Sequence, residues 1–75
     1  MNGRSTTLLP PRDGLLRTHF FAPEEGEVTI SLNGQVLERF RASGYVERDY
    51  RVKATREQNV LIINGSRLRF RFLGL

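Results

Sequence analysis

The sequence predicts an all-β fold, a small six-stranded antiparallel β-sandwich or partly open barrel with an extended N-terminal arm. Apolar and polar residues alternate from about Leu15 to the end, and two Asn-Gly pairs, Asn33-Gly34 and Asn64-Gly65, punctuate that alternation. No window carries the i, i+3, i+4, i+7 apolar spacing of a helix without a Gly or Pro inside it. At 75 residues the chain is one domain's worth, too short for a cleft between two lobes. Five Phe and two Tyr can seed a core, which argues against general disorder. Burial and chain entropy nearly cancel at this size, and no Cys is present to add a disulfide, so contacts with a partner are expected to supply part of the stability.

Residues 1–13 stand apart in composition, with Ser, Thr, Asn and Arg followed by Leu8, Leu9, Pro10 and Pro11. The Pro pair favours an extended polyproline conformation and removes two amide donors, so the segment is read as an arm without a regular element, never a central strand. A terminus is ordered when something ties it down, so the arm is expected to dock on its own sheet or on a neighbour.

Residues 14–75 form the single β domain. Turn-forming residues fall at Asp13-Gly14, Pro23 to Gly26, Asn33-Gly34, Ser43-Gly44, around Thr55 to Gln58, and Asn64-Gly65. They delimit strands at 15–22, 27–32, 35–42, 45–54, 59–63 and 66–73, each enriched in β-branched or aromatic residues. A type I′ turn at Asn64-Gly65 would pair Ile63 with Ser66, Leu61 with Leu68 and Asn59 with Phe70. Leu61, Ile63, Leu68, Phe70 and Phe72 then share the core face, with Arg67, Arg69 and Arg71 on the other. At Asn33-Gly34 the same geometry sends Val36 and Phe40 to the face opposite Val28, Ile30 and Leu32. Either a bulge restores them to the core side or both faces of the hairpin are covered, one by a partner; the second reading is preferred.

Several chemistries are excluded or disfavoured. Structural zinc needs about three or four ligands, mainly His and Cys, and the chain has one His and no Cys. Nucleophilic catalysis would hang on His19, inside a predicted strand, where a plain strand residue is the simpler reading. Glu47 and Asp49 project about 7 Å apart from one strand face, a spacing paired carboxylates use in glycoside hydrolysis. With Arg51 and Lys53 beside them, however, they describe a solvated face. Glu24, Glu25 and Glu27 around Gly26 lack the regular alternation of a calcium loop. Asn64-Gly65-Ser66 spells a glycosylation acceptor but reads as a turn. No run of about 18 apolar residues marks a membrane span, and the N-terminus lacks the roughly 7–15 residue apolar stretch of a secretory signal. No membrane, cofactor, metal or small-molecule substrate is therefore expected, and the location is left open between virion and cytoplasm.

The basic residues are 11 Arg and one Lys, giving a net charge of +4. Near-exclusive Arg use follows from a GC-rich genome as readily as from function, although Arg suits bidentate and interface pairing. Arg67, Arg69 and Arg71 form the best candidate stripe for nucleic acid, but Phe70 and Phe72 point away from it. A stacking platform would have to come from Phe20, Phe40, Tyr45 or Tyr50. Glu38, Glu47 and Asp49 are candidate counter-charges for the stripe.

The stretch Glu27-Val28-Thr29-Ile30-Ser31-Leu32-Asn33-Gly34-Gln35-Val36-Leu37, then Val46 to Val52, then Gln58-Asn59-Val60-Leu61-Ile62-Ile63 resembles jelly-roll accessory modules of the galactose-binding type. In those modules, too, a strand runs into Asn-Gly, a strand returns, and an Asn-Val-Leu strand follows. The resemblance spans residues 27–63 and implies a β-sandwich with a carbohydrate-binding accessory role.

The function expected from these readings is a non-enzymatic structural or interaction module that docks into a larger protein assembly. The arm would contribute Leu8, Leu9, Pro10, Pro11 and Arg12, and an exposed strand face Val36, Phe40, Arg67, Arg69 and Arg71. A small virion component, cementing a capsid or belonging to a tail, is the concrete form. A basic β-barrel nucleic-acid-binding protein and a carbohydrate-binding module are the alternatives.

Overall fold

The computed structural model describes residues 2–11, 13–53 and 57–74, and every regular element among them is a strand. The elements are β1 (Asn2–Leu9), β2 (Gly14–Leu32), β3 (Gln35–Val52), β4 (Asn59–Ser66) and β5 (Arg69–Gly74). They form one antiparallel sheet, not closed, in the order β1-β4-β2-β3, with β5 added to β2. No helix among the described residues is long and apolar enough to cross a membrane.

Five strands stand where the alternation predicts six, because two turn signals bend strands without ending them, which merges four predicted strands into two, and residues 2–9 add a strand of their own. β2 runs through Pro23 to Gly26 and β3 through Ser43-Gly44. Pairing steps from Ala22↔Gly44 to Gly26↔Ala42, so residues 23–25 bulge opposite Ser43 alone. Pro23 lies inside the bulge, where its missing amide costs no ladder bond. Gly44 takes a φ of 78°, a left-handed conformation that glycine adopts without a steric penalty. Ala54 and Thr55, at the predicted end of a strand and start of a turn, lie outside the described residues.

The bend is sharp. Tyr50 Oη donates a 2.6 Å hydrogen bond to Glu38 Oε1, yet the two residues are 12 positions apart on the same strand. A straight strand would separate them by about 40 Å. The sheet therefore consists of two limbs folded toward each other. The first limb comprises residues 14–22 of β2, 44–52 of β3, and β5. The second comprises residues 26–32 of β2, 35–42 of β3, and β4 with β1 outside it.

The core lies on the inner face of both limbs. Leu16, Phe20 and Ala22 on the first half of β2, Val28, Ile30 and Leu32 on the second, and Leu61 and Ile63 on β4 are buried together with Leu9, Ala42, Val46 and Val52. Burying one such large side chain contributes about 1.5–3 kcal/mol. Two polar side chains are also fully buried, and both are hydrogen-bonded. Thr18 donates to the Arg48 carbonyl at 2.9 Å; Asn59 donates to the Pro10 carbonyl at 3.3 Å and accepts from Asn33 Nδ2 at 3.0 Å. Asn33 Oδ1 also accepts from the Val60 amide at 2.9 Å, so one pair of asparagines ties the β2–β3 tip to β4 and to the end of β1.

Residues 2–9, read as an arm without a regular element, are β1, paired with β4 along its whole length from Asn2↔Ser66 to Leu9↔Asn59. The dock is the chain's own sheet. The Pro pair follows the strand and stays outside the ladder, as two missing amides require.

The two Asn-Gly pairs behave differently. Asn33 and Gly34 take φ of 52° and 82° and form the tight hairpin turn. Asn64-Gly65 forms no turn: β4 continues to Ser66, the chain bends at Arg67 with φ 53°, and β5 runs on antiparallel to β2 beyond the bend instead of folding back on β4. The pairings Ile63 to Ser66, Leu61 to Leu68 and Asn59 to Phe70 are therefore replaced. Gly65 serves a different need, since a Cβ there would meet the Leu68 side chain at 2.6 Å. Leu68 folds over the glycine toward the core.

Two single-residue bulges then decide which side chains face out. Pairing passes from Ile30↔Glu38 to Ser31↔Val36, which leaves Leu37 unpaired and turns Phe40 inward opposite Val28 while Val36 stays outside. Coverage of both Val36 and Phe40 by a partner is thus corrected for Phe40. On β5, pairing passes from Phe20↔Phe70 to His19↔Phe72, so Arg71 is the extra residue and Phe72 emerges 48% exposed instead of joining the core face.

Candidate functional site

The outer faces of the two limbs carry different chemistry. On the second limb, direct partners place Thr6, Ile62, Ser31 and Val36 in one row across β1, β4, β2 and β3, with Leu8 opposite Val60 in the next. Leu8 is 62% and Val36 47% exposed, while Val60 and Ile62 between them are half-buried. This is an uncharged stripe in which aliphatic side chains alternate with the hydroxyls of Thr6 and Ser31, running between edges of β1 and β3 that are unpaired among the described residues. Further toward the bend, Arg39 meets Glu27 at 3.6 Å and Arg41 meets Glu25 at 3.5 Å, so these two arginines are neutralised. Arg67, at the bend between β4 and β5, pairs with Glu24 at 3.5 Å, and Ser66 donates to the same carboxylate at 2.8 Å.

The first limb shows the opposite balance. Leu15, Arg17, His19 and Phe21 of β2, Tyr45, Glu47, Asp49 and Arg51 of β3, and Arg69 and Phe72 of β5 occupy its outer face. Among the described residues, Arg17, Arg51, Arg69 and Arg71 form no ion pair. Tyr45 is 67% exposed, and the Phe21 ring meets it edge-on at 5.2 Å. The Arg71 guanidinium lies 5.5 Å from the Tyr45 ring centre and donates to its hydroxyl. Phe21, Tyr45, Arg69 and Arg71 together line a shallow groove of about 330 Å³. One row further along, Phe72 packs against His19 with ring centres 6.0 Å apart, and His19 reaches Asp49 at 3.4 Å.

Inside the bend a third cluster closes the two halves of β3. Glu38 accepts from Tyr50 and pairs with Arg48 at 3.4 Å, and the Arg48 guanidinium stacks 4.6 Å from the Phe40 ring centre. Burial first, then the hydrogen bond to Glu38, pushes the Tyr50 hydroxyl well above the ordinary phenol value. This cluster clamps the fold and leaves its groups engaged with one another.

The sequence-predicted site residues are thus dispersed. Leu8 is exposed on the stripe, Leu9 is buried in the core, Pro10 and Pro11 are exposed beyond β1, and Arg12 lies outside the described residues. Val36 lies on the same stripe as Leu8, whereas Phe40 is half-buried under Arg48. The Arg67, Arg69 and Arg71 stripe is not continuous: Arg67 sits at the bend with Glu24, and Arg69 and Arg71 are gathered around Tyr45. The counter-charges differ as well, since Glu38 pairs with Arg48 and Asp49 with His19.

Tyr45 was visible in the sequence as a possible platform. Phe21 and Phe72 were not, because Phe21 sits beside the equally apolar Phe20 and the bulge at Arg71 re-aims Phe72. Glu24, Glu25 and Glu27 are each engaged by an arginine. No group of three His, Cys, Asp or Glu side chains among the described residues is placed to hold a metal ion. Comparison with family models, curated proteins and solved structures finds no match for this chain.

Proposed function

We propose that the chain is a non-enzymatic assembly module whose copies join through the outer face of the second limb. The observation that carries this reading is the stripe of Leu8, Val60, Ile62 and Val36, which is uncharged and ends at two unpaired strand edges. A second copy suits it because apolar meets apolar across a two-fold contact, and Arg39 and Arg41 arrive already neutralised by glutamates. A small virion component, built into a particle from many copies, is the concrete form of this role. In that setting the bent sheet acts as a partly open barrel or sandwich half, completed by its neighbour.

Removing residues 1–13 is a poor test, because β1 is a strand of the sheet and Leu9 is part of the core. Light scattering at two protein concentrations and two salt levels tests the reading directly. The expected mass exceeds the 8.6 kDa of one chain, grows with concentration and changes little with salt. Leu8→Glu combined with Val36→Glu restores the single-chain mass with unchanged circular dichroism. A single-chain mass for the native protein at every condition overturns the reading.

A further inference from the structure

We infer that the outer face of the first limb is a binding platform for single-stranded nucleic acid. This goes beyond the assembly reading and rests on a different surface. A strand without a complement offers phosphates and exposed base faces together, and proteins hold it by pairing a cationic track with aromatic rings on which bases stack. The first limb has both. Arg17, Arg51, Arg69 and Arg71 are free of carboxylate partners among the described residues, and four arginines face the two carboxylates of Glu47 and Asp49. Asp49 is held by His19, so among the described residues Glu47, two residues from Tyr45 on the same strand face, is the one carboxylate without an ion pair set against these arginines.

The rings are placed to receive bases. Tyr45 is held at its edge by Phe21 and from one side by Arg71, yet two thirds of its surface is open. Phe72 offers a second exposed ring on β5, two strands away and so about 10 Å across the sheet, with His19 between. The groove of about 330 Å³ beside Tyr45 matches the lower end of small-molecule sites and has room for one base. Arg69 and Arg71 line the same groove, where guanidinium groups can grip phosphate oxygens in a bidentate manner.

Charge and shape exclude other occupants. A second copy apposed on this face would bring Arg17, Arg69 and Arg71 against the same arginines. A duplex hides the base faces that Tyr45 and Phe72 would stack on. An acidic protein segment satisfies the arginines but leaves the rings unused.

Fluorescence anisotropy of a labelled single strand of about 15 nucleotides tests the inference. The matching duplex and polyglutamate serve as competitors, at about 50 mM and about 200 mM salt. The single strand is expected to bind, to outcompete both, and to weaken steeply with salt. Tyr45→Ala, at a largely exposed position, lowers affinity roughly 5- to 100-fold, and Tyr45→Phe retains most of it. Arg69→Gln with Arg71→Gln reduces the salt slope by about 0.7 for each phosphate contact removed. Arg39→Gln, on the other limb, leaves affinity unchanged. Absence of binding at the lower salt overturns the inference. Equal affinity for the duplex, equal loss in the Tyr45→Ala and Arg39→Gln variants, or displacement by polyglutamate overturns it in favour of non-specific charge or an acidic protein partner.

Discussion

On the second limb Arg39 and Arg41 each end at a glutamate, and the neighbouring surface is aliphatic; on the first limb Arg69 and Arg71 end at an aromatic groove with no carboxylate. The same residue type therefore serves two surfaces. Exposed Arg–Glu pairs contribute only about 0–1 kcal/mol each to stability. Their larger effect is to cancel charge, which lets Leu8 and Val36 present an uncharged face. With four glutamates taken up by Arg39, Arg41, Arg48 and Arg67, the outer face of the first limb keeps four arginines without a carboxylate partner among the described residues, against Glu47 and Asp49. That surplus gathers on one face about half of a net charge of +4 that is modest over the whole molecule.

Beneath these faces the limbs share one core, and the largest expected effect is on that sharing. Ile30→Ala removes a fully buried side chain of the second limb and is expected to cost about 2–5 kcal/mol in urea unfolding. Tyr fluorescence and circular dichroism should report one coincident transition. Separate transitions would show that the limbs fold independently and share no core.

Asn59→Ala acts on the second limb alone. It removes the buried amide that joins Asn33 and Pro10, with an expected cost of about 1–3 kcal/mol. Amide hydrogen exchange should accelerate in β1 and at the Asn33-Gly34 turn while β5 stays protected. Acceleration spread evenly over all strands would contradict a local role.

The Tyr50 clamp joins the limbs and adds a pH dependence. Its pKa is raised above the ordinary value of 10.0, so the folded chain keeps the phenol proton where the unfolded chain has lost it. The contribution is complete below about pH 10 and is lost as pH rises from there toward the folded value. Tyr50→Phe should cost about 1–2 kcal/mol near neutral pH, and the difference from the native protein should shrink as pH climbs above 10. A constant difference between pH 8 and about pH 11 would contradict the assigned cause. The smallest effect is expected from Arg41→Gln, within about 1 kcal/mol in thermal unfolding, because that pair is exposed on both sides.

The all-β character, the Asn33-Gly34 turn and the burial of Val28, Ile30, Leu61 and Ile63 were legible because they depend on neighbours a few residues away. What was not legible depends on distant partners. Residues 2–9 carry no pattern of their own, and their strand exists because β4 offers an edge. Gly65 looked like a turn residue, but its lack of a side chain is used by Leu68. The bulges at Leu37 and Arg71 each insert one residue, which exchanges the faces of everything beyond them, and no local propensity marks where the extra residue falls. For the candidate surfaces, Leu8, Val36, Arg69 and Arg71 were legible as residues, while their grouping with Ile62 on one limb and Tyr45 on the other required the sheet order.

One bent sheet carries two outer surfaces that act separately. A single-strand anisotropy titration of Tyr45→Ala beside the Leu8→Glu, Val36→Glu double variant tests it most directly. Affinity should fall in the first and stay at the native level in the second. Equal loss in both, or no binding by the native chain, would contradict it.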